Sequence, residues 1–160
     1  MEKFTFFYRT ESPFSQWHPA EFVVSRVPFN CSEQFMMYQK AKLFKDEEMA
    51  EKILLAKSPA EQKQLGRMIR KFHKEEWEMH CKQFVYDGNY AKFTQNQHLL
   101  ERLLETKGTT LVEASPTDRI WGVGLLESSS QIRNRKTWRG TNWLGEVLTN
   151  LREDLISQMK

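Results

Sequence analysis

Glu33 and Lys40 stand seven residues apart in the run Ser32-Glu33-Gln34-Phe35-Met36-Met37-Tyr38-Gln39-Lys40-Ala41. On a helix, that separation turns a side chain by roughly 20° and raises it by about 10 Å. The two groups then share a face with Met36 and Met37 near it, and they are too far apart for an intrahelical ion pair, which needs three or four residues. Two readings follow. One is a partly solvated helix whose charges happen to align. The other is an acid and an amine looking into an apolar cleft. There desolvation raises the carboxyl pKa and lowers the amine pKa, which suits proton transfer and nucleophilic attack.

A second concentration runs from Leu111 to Gly124, with the carboxylates Glu113 and Asp118, the indole of Trp121, and Gly122-x-Gly124. Glycines let backbone N–H groups approach an anion, and an indole can stack on a base. The competing reading is a tight turn with Trp121 plugging the core. Gly140-Thr141-Asn142-Trp143-Leu144-Gly145 precedes the last helical stretch. It offers either a phosphate site on helix N–H donors or simple capping by Asn142. His18, His73, His80 and His98 show no metal-ligand spacing, so no metal is expected. Trp77 has core spacing and could also line a pocket. Arg133 to Lys136 reads as a solvated basic stretch or as a contact for substrate phosphate.

These residues need elements to position them. Phe4 to Tyr8 and Glu21 to Val24 have strand composition, punctuated by Ser12-Pro13, His18-Pro19 and Val27-Pro28. Ser32 is expected to cap a helix from Glu33 to Phe44, and a second runs from Lys45 to Ala56. Ser58-Pro59-Ala60-Glu61 carries a serine N-cap, proline at the first helical position and a capping-box glutamate. Trp77, Cys81, Phe84 and Val85 recur at helical spacing, as do Leu99, Leu100, Leu103 and Leu104, which Lys107-Gly108 terminates. Leu111 to Ala114 reads as a strand, and Ser115 to Gly145 as mostly loop. A final helix near Asn142 carries Leu144, Val147, Leu148, Leu151 and Leu155 on one stripe. The expectation is one α+β domain over residues 1–160, predominantly helical with a few short strands.

The chain has 160 residues, 39% of them apolar, enough for a core without staples. No apolar run approaches a membrane span, and no leader-like segment opens the chain, so a cytoplasmic protein is expected. Cys31 and Cys81 form no CxxC pair and read as free thiols. A net charge of +3 gives no prior for non-specific nucleic-acid binding.

Taken in order, several short motifs resemble the NADAR (YbiA-like) family. They are Ser12-Pro13-Phe14-Ser15, Ser32-Glu33-Gln34 with Lys40-Ala41-x-Leu43-Phe44, Leu65-Gly66-Arg67, and Lys92-Phe93-x-Gln95-Asn96. They continue with Leu111 to Pro116, Asp118-x-x-Trp121-Gly122-x-Gly124, and Gly140-x-Asn142-x-Leu144-Gly145. The resemblance implies a mainly helical fold and cleavage of N-glycosidic bonds. It implies two substrate types: a ribosylaminopyrimidine phosphate of riboflavin biosynthesis, or ADP-ribose on guanine in DNA or RNA, where cleavage reverses ADP-ribosylation. It implies a lysine Schiff base at Lys40, with Glu33 matching the family glutamate and no cofactor.

On that basis, Lys40, Glu33 and Asp118 are the expected catalytic residues. Arg67, Trp77, Glu113, Trp121, Gly122, Gly124, Gly140 and Asn142 are the expected substrate contacts. The chain departs from the pattern in three places. Val123 stands where some relatives have an acid, Gln16 replaces a common asparagine, and Glu127 to Lys136 is longer than in the shortest relatives. The alternatives are a non-catalytic ADP-ribose-binding module and a helical interaction protein. Retention of both Lys40 and Glu33 favours the enzyme. The residues leave the oligomeric state open.

Overall fold

Turn chemistry and apolar spacing account for most elements of the computed structural model, which describes residues 1–160. In chain order they are β1 (Phe4–Phe7), β2 (Phe22–Val24), β3 (Val27–Phe29), α1 (Ser32–Leu43), α2 (Glu47–Leu55), α3 (Pro59–Gly66) and α4 (Lys74–Thr94). Then follow α5 (Gln97–Leu104), β4 (Thr110–Glu113) and α6 (Trp143–Gln158), with 3-10 turns at Ser130–Arg133 and Arg135–Thr137. This is the expected helix-dominated α+β class. No helix is long and apolar enough to cross a membrane. The chain folds as two compact units, one of residues Gln16–Gln97 and one of Met1–Ser15 with His98–Lys160.

In the first unit, α1 packs against α2, α3 and α4. Phe22, Phe29, Phe35 and Ala91 form a buried cluster there. Val27-Pro28, expected as punctuation, instead forms β3, antiparallel to β2. Ser25 and Arg26 both have positive φ, the conformation of a two-residue hairpin turn. The ribbon has only two strands, so a proline need not supply an inner ladder bond.

Ser32 does not cap α1. Cys31 occupies the N-cap without a side-chain bond, while Ser32 is buried with its Oγ 3.5 Å from Asn89 Oδ1. The Gln16 carbonyl accepts the Glu33 N–H at 3.0 Å, meeting a demand that a cap would otherwise meet. The break between α1 and α2 is sharper than the periodicity implies. Lys45 turns left-handed at φ 58°, and Asp46 caps α2 by accepting from Met49 N at 3.2 Å. Ser58 caps α3 through Glu61 N at 3.2 Å, as its sequence signal requires.

In the second unit, β1 and β4 pair in parallel, Phe4 opposite Thr110 and Phe7 opposite Glu113. A parallel pair needs a long connection, and here it carries every element from β2 to α5. The α6 stripe of Leu144, Val147, Leu148, Leu151 and Leu155 is buried as its spacing predicts. The segment after β4 is irregular yet not loose. Val123, Leu125 and Ile132 join Val112 and Ala114 in one buried cluster.

Candidate active site

Lys40 emerges half-buried from the last turn of α1. Its Nζ donates to the Gly66 carbonyl at 3.0 Å and lies 4.7 Å from the Phe72 ring centroid and 5.6 Å from that of Trp77. A Cβ on Gly66 would collide with Met37 Sδ, so glycine allows the end of α3 to come this close to α1. The segment that follows is tethered through Asp46. Its carboxylate accepts from Arg70 N at 2.9 Å and from the Arg70 guanidinium, also at 2.9 Å. Burial lowers the Lys40 pKa and Arg67 pushes it the same way, while Glu33 opposes them. The amine is therefore easier to deprotonate than a surface lysine, and aromatic faces flank it.

Glu33 is buried in the first turn of α1, and its Oε1 accepts from Trp17 Nε1 at 3.1 Å. With Glu33 buried and Lys40 half-buried, the pair is not two fully solvated charges. Arg67 is exposed just after α3, and Trp77 is half-buried on α4. Lys40, Glu33, Arg67 and Trp77 thus form one cluster within residues 16–97.

The other expected residues gather within the second unit. Asp118 Oδ1 accepts from Ile120 N at 2.9 Å and Trp121 N at 2.8 Å. It shapes the loop that presents Trp121. That indole is half-buried and edge-on to Trp143, with centroids 5.7 Å apart. Gly122 is required by close approach: a Cβ would lie 2.9 Å from the Asp118 carbonyl and 3.0 Å from the Glu113 carbonyl and carboxylate. Gly124 is left-handed at φ 70°.

Two expectations at α6 are corrected. Asn142 does not cap with its side chain. At φ 53° and buried, it bridges to β4, accepting from Glu113 N and donating to the Leu111 carbonyl, both at 3.0 Å. Nor does this helix start offer a free set of donors for phosphate. The N–H groups of Thr141, Asn142, Trp143 and Leu144 bond to the carbonyls of Arg119, Gly122, Ile120 and Trp121. Gly140 fits here because a Cβ would strike Gly122 O and the Arg119 backbone.

Perturbed ionisation alone would have chosen another lysine. Lys92 is wholly buried in α4, and burial pushes its pKa down to about 7. A side chain with no exposed surface cannot meet substrate, so geometry selects Lys40. Burial raises both thiols, Cys31 to about 11, which leaves neither a ready nucleophile. No three His, Cys, Asp or Glu side chains gather as a metal-ligand set.

The positions missed from sequence are Trp17, Phe72 and the Gly66 carbonyl as a lysine acceptor. None belongs to an apolar period, because each reaches the site from a turn or a helix end.

The NADAR domain family matches residues 6–156. The chain belongs to this family. Among its relatives is N-glycosidase R617 of Acanthamoeba polyphaga mimivirus, 40% identical over 88% of this chain and 86% of its own length. The riboflavin biosynthesis protein PYRR of Zea mays is 34% identical over 68% of this chain, which corresponds to 16% of that longer protein. The NMR structure of the Escherichia coli protein YbiA superposes with a TM-score of 0.81 at 29% identity, covering 99% of this chain and 89% of that one. The NADAR match spans both units of the fold.

Proposed function

We propose that the protein is an N-glycosidase that hydrolyses the bond between C1 of a ribose and a base or amine nitrogen. Its substrate is a ribose phosphate or an ADP-ribose conjugate. The observation that carries this reading is the Lys40 amine, lowered in pKa by burial and flanked by Phe72 and Trp77 on the helix that bears Glu33. The relative named N-glycosidase, aligned over most of both chains, supports the reaction class.

In the proposed reaction the neutral Lys40 Nζ attacks C1. The bond from C1 to the leaving nitrogen breaks, its electron pair departs with that nitrogen, and Glu33 supplies the proton. Loss of the Nζ proton and opening of the sugar ring give an imine, and water cleaves it to free Lys40 and the sugar. In the other unit, Asp118 holds the loop that carries Trp121, an indole of a kind that stacks on a ring. Arg67 supplies positive charge for phosphate. This division of roles asks for no redox cofactor.

The test is to incubate the protein separately with ADP-ribosylated guanine in an oligonucleotide and with a ribosylaminopyrimidine phosphate, reading products by mass spectrometry. Release of the base from either supports the N-glycosidase reading and identifies the substrate type. Tight binding of ADP-ribose without turnover of either would leave the binding-module alternative instead.

A further inference from the structure

Asp46 commits both carboxylate oxygens to the chain around it, and its side chain is only 1% exposed. Oδ1 accepts from Met49 N at 3.2 Å, at the start of α2, and from Arg70 Nη2 at 2.9 Å. Oδ2 accepts from Arg70 N at 2.9 Å and from Arg70 Nε at 3.3 Å. A guanidinium that puts two nitrogens on two carboxylate oxygens is a directional grip as well as an ion pair. The Arg70 side chain is otherwise exposed, with one longer acidic contact to Glu48 at 3.5 Å. One buried carboxylate thus fastens the segment between α3 and α4 to the junction of α1 and α2.

The fastened segment carries part of the wall around Lys40. Phe72, two residues beyond Arg70, has its ring centroid 4.7 Å from Lys40 Nζ and meets Phe44 edge-on at 5.3 Å. The Phe72 side chain is an exposed one, so core packing does little to fix it. Lys71, between Arg70 and Phe72, is left-handed at φ 61°, and Lys45, just before Asp46, at φ 58°. A residue other than glycine keeps that conformation where its surroundings enforce it, and the Asp46–Arg70 contact adjoins both positions. We infer that Asp46 is a positioning residue for Lys40, which through Arg70 keeps Phe72 against the amine. As a statement about catalysis, the inference rests on the N-glycosidase reading.

An amine-selective acylating reagent, with its label mapped to Lys40 by mass spectrometry over a pH series, tests the positioning without substrate. Burial is the first cause of the lowered Lys40 pKa. A Phe72 that swings away should hydrate the amine and raise its labelling midpoint toward that of an ordinary lysine. Asp46→Asn is expected to do this. Loss of a negative charge acting directly would lower the midpoint, so the sign separates positioning from plain electrostatics. Arg70→Gln changes an exposed side chain, should raise the midpoint as well, and decides the matter if Asp46→Asn does not fold. A double-mutant cycle with Phe72→Ala completes the test. Either variant should add nothing to the rise that Phe72→Ala causes alone, whereas the Arg70 charge acting directly would add to it. With the substrate that the wild type cleaves, Asp46→Asn should lose roughly tenfold or more in kcat, the scale of a small misplacement at the reacting group. A midpoint that stays or falls, additive shifts in the cycle, or an undiminished kcat overturns the inference and leaves the N-glycosidase reading standing. A wild type that cleaves neither substrate overturns that reading, while the labelling still decides whether Asp46 positions Phe72 on the amine.

Discussion

The cluster around Lys40 and the loop around Trp121 hold their polar groups in opposite ways. In the loop, Asp118 Oδ1, both ends of the Asn142 amide and the N–H groups of residues 141–144 are all engaged with backbone. Around Lys40, the amine has one carbonyl at 3.0 Å and two aromatic faces, and its ionisation is biased by its surroundings. Backbone-consumed polar groups make a rigid frame for an indole. A half-desolvated amine is reactive. Spent hydrogen-bonding capacity thus separates a part of the chain that holds from the part that we propose reacts.

Breaking the reactive side should have the largest effect. Lys40→Ala is expected to lower turnover by roughly 10⁴-fold or more, the scale seen when a nucleophile is removed. The melting temperature should change little, because the side chain is only half-buried. Borohydride added with substrate should trap a secondary amine on Lys40 in the wild type, which peptide mass mapping would locate. Full activity in the alanine variant would remove the lysine from the mechanism.

Glu33→Gln keeps size and removes acid–base function, so kcat should drop by about 10²–10⁴-fold. It should also move a pH profile in a defined direction. The reaction of Lys40 with an amine-selective reagent needs the neutral amine, so its labelling rises with pH through the Lys40 pKa. The Glu33 charge holds that pKa up, so its removal shifts the rise to lower pH. A variant within threefold of wild type and with an unmoved profile would make Glu33 structural.

The frame should fail by unfolding. Asn142→Ala leaves the Glu113 N–H and the Leu111 carbonyl without this partner. Each buried group so orphaned costs about 1–3 kcal/mol. Denaturant unfolding should show the loss, with KM near normal in the folded fraction. A normal stability would mean that the β4 to α6 bridge is dispensable.

Trp121→Ala tests whether the frame exists to present a platform. A half-buried indole serving as one should give up about 1–3 kcal/mol of ligand affinity, with Trp121→Phe retaining most of it. If calorimetry instead shows normal affinity while stability falls by about 3–5 kcal/mol, the indole is a core plug.

The smallest effect is expected at Arg67. Its charge helps depress the Lys40 pKa from an exposed position. Arg67→Ala should therefore move the rise in Lys40 labelling to higher pH, opposite in sign to Glu33→Gln. Equal profiles in the two variants would show that neither charge sets the Lys40 pKa.

The sequence by itself determined the helices whose signals are local. Ser58-Pro59 began α3, and the leucine stripe of α6 was legible because a helix repeats its core face every three or four residues. The ordered short motifs likewise carried the family and the pair Glu33 and Lys40. Tertiary structure decided what those groups touch. Ser32 left the cap because a carbonyl from Gln16 reached the helix start first. Asn142 and the first N–H groups of α6 were drawn into backbone pairing, and Lys40 gained Phe72 and the Gly66 carbonyl from a chain turn 26 to 32 positions away. Periodicity encodes which face is apolar. A hydrogen-bond partner or a pKa depends on atoms brought close by folding, and no spacing along the chain records them.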